Sequence, residues 1–139
     1  MVVQIITPVK KKLSLFSDIH KDMTQNPLTE DLSLKRDEEA VKESIKNLIL
    51  TNRGERLMQP LIGGNVQAML FENNTPAIIK LIQEQIKTVI REYEPRATLI
   101  DVLVVRSSID ESTVEVDVYF YINNVAEPIA VTVFLERIR

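Results

Sequence analysis

Residues 76–106 read PAIIKLIQEQIKTVIREYEPRATLIDVLVVR, and within this stretch the hydrophobic period changes once. From Pro76 to about Tyr93, the residues Ile78, Ile79, Ile82, Ile86, Val89 and Ile90 recur at three- and four-residue spacing. That pattern predicts an amphipathic helix with Lys80, Gln83, Glu84, Lys87 and Arg91 facing outward. Thr75-Pro76 marks its start, because a threonine side chain caps free amides and proline is pre-organised for the first helical position. Pro95 marks its end: the proline ring disfavours helical geometry in the preceding residue, so Glu94 is expected to be extended. Residues 99–106 are β-branched and read as a strand. Residues i and i+2 of an extended segment project the same way, so Glu94 and Arg96 are expected side by side.

The period of two continues downstream. After a turn at 107–113, Val114, Val116, Val118, Phe120 and Ile122 alternate with Glu115, Asp117, Tyr119 and Tyr121, the pattern of a half-buried strand. A loop at 123–127 leads to a third strand over 128–138, with Ile129, Val131, Val133 and Leu135 on one face. Two short connections in succession make an antiparallel meander the economical topology.

Upstream, a helix is expected from near Arg36. Asp37, Glu38 and Glu39 suit its positive start, Glu38 and Lys42 form an i,i+4 pair, and Ala40, Val41, Ile45, Leu48 and Ile49 form its buried stripe. Gly54 reads as its left-handed stop. A loop with Pro60, Gly63 and Gly64 follows, then a short helix over 66–71 with Val66, Met69 and Leu70 inward. Residues 1–35, with Pro8, Pro27 and no sustained period, read as an irregular arm. Its apolar island Leu13, Leu15, Phe16 and Ile19 is expected to dock on the parent domain or on a neighbouring subunit. The fold class is therefore α+β: an arm over 1–35, then one domain over 36–139 in which two main helices cover a C-terminal three-stranded antiparallel meander.

Composition narrows the function. A chain of 139 residues suits one domain, and its 45% hydrophobic content supports a core. The net charge of −3 is evenly spread and argues against nucleic acid. The one basic run, Lys10-Lys11-Lys12, reads as a solvated end or as an anionic contact. There is no cysteine, which excludes disulfides, thiolate zinc sites and a cysteine nucleophile. The apolar stretch 1–6 is too short for a signal peptide, and no apolar run approaches bilayer length, so a soluble protein without a membrane partner is expected.

Catalytic constellations are weak. His20 is the only histidine, and no Gly-x-Ser-x-Gly elbow accompanies it. Asp18, His20 and Asp22 are spaced for a metal only loosely. Gly63-Gly64 lacks the lysine and hydroxyl of a phosphate loop. Glu92 and Glu94 form the one carboxylate pair that glycoside hydrolysis could use, but both belong to one helix end, and no tryptophan offers a sugar platform. No cofactor is expected. The junction Tyr93-Glu94-Pro95-Arg96 instead reads as a clamp between helix and sheet, as a docking knob for a partner, or as both.

A set of short motifs carries a resemblance. Thr51-Asn52-Arg53-Gly54-Glu55-Arg56, then Pro60 and Gly63, then Leu70-Phe71-Glu72-Asn73 with Thr75-Pro76, then Tyr93-Glu94-Pro95-Arg96 resemble, in this order, the baseplate wedge family of contractile phage tails. That family is the sheath initiator, with relatives in type VI secretion baseplates and an old label of tail lysozyme. The similarity runs from about Leu28 onward, and Leu15–Ile19 extends it into the arm. Ile62 departs from it, standing where the family pattern has an aromatic before the glycine.

The resemblance implies a non-enzymatic structural subunit of the virion tail baseplate, assembled in the host cytoplasm in sixfold copies around hub and tube proteins. It implies that Glu94, Pro95 and Arg96 contact the helical core bundle of other wedge proteins. It also implies that the C-terminal strands, with Val131, Val133, Leu135 and Arg137 as expected contact positions, template the tail sheath protein. A terminal strand with an open edge fits strand addition, and Glu136, Arg137 and Arg139 could equally blunt that edge. The alternative it carries is a peptidoglycan-degrading tail lysozyme.

Overall fold

The computed structural model describes residues 14–72, 75–106, 113–123 and 125–137. The expected turn at 107–113, apart from Thr113, lies outside them, as do the lysine run, Leu13, Asn73, Ile138 and Arg139. The chain divides into two units, Met1–Ala40 and Val41–Arg139.

In the first unit the expected irregular arm holds a ribbon. Strand β1 (Ser17–Ile19) pairs antiparallel with β2 (Leu34–Arg36), in the register Ser17↔Arg36, Asp18↔Lys35 and Ile19↔Leu34. Asp37 closes it. Its Oδ1 accepts the amides of Leu15 (2.7 Å) and Phe16 (3.2 Å), and its own amide donates to the Phe16 carbonyl at 2.8 Å. Asp37 therefore sits at φ 46° outside the helix, and α1 begins at Glu38, two residues after the expected start. The clasp was hidden from the sequence because it joins residues twenty-one and more positions apart.

The second unit follows the expected order. Helix α1 (Glu38–Leu50) buries Val41, Ile45, Leu48 and Ile49. It ends at Leu50, earlier than Gly54 suggested, where the Thr51 hydroxyl and amide both turn back to the Asn47 carbonyl. Helix α2 (Val66–Met69) ends two residues earlier than expected. Helix α3 (Pro76–Tyr93) begins and ends where proline placement requires, with the Thr75 side chain accepting the Ile78 amide. Ile82, Ile86, Val89 and Ile90 are buried along it.

Strands β3 (Ala97–Arg106), β4 (Thr113–Ile122) and β5 (Pro128–Glu136) form one antiparallel sheet in the order β3-β4-β5. One face carries the core: Val102, Val116, Val118, Phe120, Ile122, Ile129, Val131, Val133 and Leu135 are all buried. The pairs Val118↔Val131 and Phe120↔Ile129 stack these side chains across the strands. A bulge between Leu99 and Asp101 shifts the β3 register and lets Val102 rejoin the inward face opposite Val118.

Phe120 is fully buried towards the end of the middle strand, opposite Ile129. Phe120→Ala is expected to lower stability by about 3–5 kcal/mol, read by urea denaturation. A loss below about 1 kcal/mol would show that this face is not the core.

Candidate functional site

The helix-to-strand junction is built by a proline. Pro95 pushes Glu94 out of the α region to φ −123°, ψ 76°, while the Glu94 amide still bonds the Ile90 carbonyl at 2.9 Å. The Glu94 side chain then turns inward and is only 2% exposed. Arg96, two residues on, meets it in a two-point grip, with Nε to Oε1 at 2.6 Å and Nη2 to Oε2 at 2.8 Å. The side-by-side placement expected from i,i+2 spacing is what forms.

Burial works to raise the Glu94 carboxyl, but the hydrogen bonds from Arg96 and from the Ser44 hydroxyl of α1, with the Arg96 charge, outweigh it and hold the group below its ordinary value. Glu94 is therefore an ionised, locked anion. A glycosidase acid needs the opposite, a carboxyl raised and facing a cleft. Glu92 lies on the exposed surface of α3.

The other junction residues brace the same point. Tyr93 Oη donates to the Leu61 carbonyl at 3.3 Å, tying the helix end to the α1–α2 loop. Asn123, just past β4, donates from Nδ2 to the Pro95 carbonyl and from its amide to the Arg96 carbonyl, each at 3.0 Å. Its Oδ1 accepts the Thr98 hydroxyl at 3.2 Å. Sequence reading missed Ser44 and Asn123, since nothing local marks a partner 25 positions or more away. Pro95 is exposed and Arg96 half-buried, so the outer side of the clamp reaches solvent.

The two edges of the sheet differ. Helix α3 lies along the β3 edge. Gln83 Nε2 donates to the Val102 carbonyl, and the Val102 amide bonds Asp101 Oδ1 at 2.8 Å. Lys87 Nζ stands 3.0 Å from Asp101 Oδ1, and this contact, with the Val102 amide, holds the Asp101 carboxyl below its usual range. Gln83 and Lys87, expected to face outward, thus serve as edge covers, because α3 flanks the sheet as well as covering it.

The hydrogen-bonding parity follows. Both backbone groups of Val102 face away from β4, and the Asn123 amide bonds the Arg96 carbonyl. In an antiparallel ladder the polar groups of successive residues point to alternate sides. The odd-numbered residues of β4 therefore bond β3, and the even-numbered ones bond β5. Through the pairs Phe120↔Ile129, Val118↔Val131, Val116↔Val133 and Val114↔Leu135, those four β5 residues turn their backbone toward β4. Ala130, Thr132, Phe134 and Glu136 turn theirs to the opposite edge, which no described strand pairs. Pro128 falls in the same outward set, where its missing N–H costs no ladder bond.

The structure places Val131, Val133 and Leu135 with side chains in the core and backbone groups turned toward β4. Arg137 lies beyond the strand, its guanidinium carbon 5.2 Å from the centre of the Phe71 ring. In the first unit, His20 Nδ1 stands 3.6 Å from Asp22 Oδ2, while Asp18 bonds the neighbouring Ile19 amide. Among the described residues no three such side chains converge as metal ligands, and no helix is long and apolar enough to cross a membrane.

The fold, helices with a three-stranded antiparallel meander, is shared with a chain of a solved baseplate. Residues 35–126 match the family model described as baseplate wedge protein gp25. Baseplate wedge protein gp25 of Enterobacteria phage T4 is 31% identical over 106 residues, covering 76% of this chain and 79% of that protein. A chain of the sixfold-symmetrised anti-feeding prophage baseplate is 25% identical with a TM-score of 0.61, covering 89% of this chain and 87% of that one. The crystal structure of a Geobacter sulfurreducens protein described as a tail lysozyme shares the fold at 24% identity. Its TM-score is 0.68, over 73% of this chain and 92% of that one. The chain belongs to the baseplate wedge protein gp25 family.

The clamp makes a pH-dependent prediction. Because the folded Glu94 carboxyl is lowered, its ionised form contributes stability above the ordinary carboxylate range and loses it as pH falls through the lowered value. Arg96→Ala strands a buried anion and is expected to cost about 3 kcal/mol at neutral pH. Glu94→Gln is expected to cost less. For both variants the deficit should shrink as pH drops below about 4, measured by denaturant unfolding across pH. A deficit that stays constant from pH 7 to pH 3 would exclude the clamp.

Proposed function

We propose that the chain is a non-catalytic wedge subunit of a contractile-tail baseplate, present in sixfold copies, whose β5 edge templates the first ring of the tail sheath protein. Membership of the baseplate wedge family supports the baseplate role, and the solved relative in a sixfold-symmetrised baseplate supports the copy number. The observation that carries the template role is the inequality of the two sheet edges: α3 covers β3, while β5 offers the outward groups of Ala130, Thr132, Phe134 and Glu136. Strand addition on such an edge supplies main-chain hydrogen bonds with little demand on sequence, which suits a starting point for repeated subunits. Glu136 and Arg137, near the end of that edge, set which strand register is accepted instead of closing it.

The clamp serves this role from the other side. Glu94 holds Arg96 in place, and the exposed Pro95 and half-buried Arg96, flanked by Tyr93, form the face that meets the helical core bundle of the other wedge proteins. Hub and tube proteins lie within reach of a subunit so placed. A peptidoglycan-degrading role finds no support in these residues, since Glu94 is spent in an ion pair. The likeness to the protein described as a tail lysozyme, at 24% identity, extends to the fold alone.

Ala130→Pro removes one outward N–H at the free edge and leaves the β4–β5 ladder intact. The variant is expected to fold and to enter baseplates, yet to leave them without sheath by electron microscopy of tail preparations. Sheaths of normal length and frequency on Ala130→Pro baseplates would overturn the template role.

A further inference from the structure

The loop between α1 and α2 has an unusual combination of a fixed backbone and an apolar tip. Its base is closed where the Gly64 amide donates to the Thr51 carbonyl at 3.2 Å. Gly63, at φ 125°, lies so close to that carbonyl that any Cβ would collide with it. Further in, the Gly54 amide bonds the Pro60 carbonyl at 2.8 Å, and Arg53 Nε bonds the Gly63 carbonyl at 3.2 Å. Asn52 bonds outward to Gln67 Oε1 at 3.0 Å, and Tyr93 holds the Leu61 carbonyl. On this frame Leu57 is 98% exposed, Met58 94% and Leu61 74%.

A mobile loop could fold such side chains onto its own surface; a loop held at both ends and across its middle cannot. Two large apolar side chains at nearly full exposure on a pre-organised backbone have the form of an interface anchor, because the ordering cost of binding is already met. Met58 adds an adaptable side chain that fits irregular pockets. The charge around the tip is specific as well. Arg53 and Arg56 are exposed, whereas the Glu55 carboxylate is turned back onto the Asn52 amide at 2.9 Å. The tip is therefore cationic in a chain of net charge −3. The loop amides of Gly54, Glu55, Gln59 and Ile62 are satisfied within the loop, which fixes its backbone.

We infer that Leu57, Met58 and Leu61 form a second docking knob, which inserts into an apolar pocket rimmed by acidic side chains on a different subunit of the same baseplate. Charge complementarity selects that occupant: Arg53 and Arg56 would sit on the rim while the apolar tip fills the pocket. The knob stands on the same brace as the junction, since Tyr93 joins α3 to the Leu61 carbonyl. The inference rests on the baseplate reading and adds to it a surface separate from the β5 edge.

The test is co-expression of the full chain with the remaining wedge subunits of its own baseplate, followed by purification on a tag carried by one of them. Leu57→Asp/Met58→Asp is expected to keep the wild-type melting temperature, because both side chains are exposed, and to lower recovery in the wedge complex about tenfold or more. Arg56→Glu is expected to lower it less and to flatten its salt dependence. Undiminished recovery of the double variant, with the wild type recovered, would overturn the knob. A wild-type chain that joins no wedge complex would overturn the baseplate reading and the knob with it. Self-association of the purified chain lost on Leu57→Asp/Met58→Asp would overturn the heterologous partner in favour of a second copy. Likewise, wild-type binding to anionic phospholipid vesicles, lost in the double variant, would assign the tip to a membrane surface.

Discussion

Pro95 disfavours helical geometry in the residue before it, and in this protein that residue is Glu94. The side chain that follows α3 is thereby turned off the helix surface and inward, where a carboxylate is tolerable only if it is paired. Arg96 supplies the pair from the first residues of the extended segment, Ser44 adds a bond from α1, and Asn123 secures the backbone on either side from the end of β4. One steric constraint thus determines where helix stops, where sheet starts, and how three elements meet. A buried ion pair of this kind is weak evidence for net stability, since a well-packed apolar pair could do as well. Its contribution is geometric: a guanidinium gripped at two points sets the direction in which β3 leaves the junction.

That direction places β3 beside α3, and the rest of the sheet follows. Because the helix runs along the β3 edge, Gln83 and Lys87 reach Val102 and Asp101, and the outward polar groups there are satisfied inside the chain. Among the described residues the opposite edge receives no such cover. A three-stranded sheet with one protected edge and one free edge has a direction of growth, which a sheet protected or open on both sides would lack. The same α3 also holds, through Tyr93, the loop that carries Leu57 and Met58. The junction, the free edge and the loop tip are therefore three surfaces referred to one helix.

Much of this was legible in the residues. The limits of α3 were readable from Thr75-Pro76 and Glu94-Pro95, and the inward faces of β4 and β5 from strict alternation, because both signals are local and repeated. The β1–β2 ribbon was not legible: three residues per strand carry no period, and Asp37 reads as a helix-start residue until its bonds to Leu15 and Phe16 are seen. Gln83 and Lys87 read as solvent-facing because a polar residue beside an apolar stripe has the same pattern whether it meets water or a sheet edge. Side-chain alternation marked Val131, Val133 and Leu135 as one face of β5. Which backbone groups face the free edge depends on ladder parity, and no sequence pattern encodes that parity.

By itself, the sequence determined what depends on neighbours a few positions apart: the two main helices, the three strands, the change of period at Pro95 and the pairing of Glu94 with Arg96. Tertiary structure alone decided which edge of the sheet is closed, which β5 residues face outward, and that the loop bearing Leu57 and Met58 is held rigid with its tip exposed. These are matters of which backbone donors and acceptors find partners far along the chain. A residue's own chemistry sets what it can bond to, but only the folded arrangement sets which of those bonds are already taken.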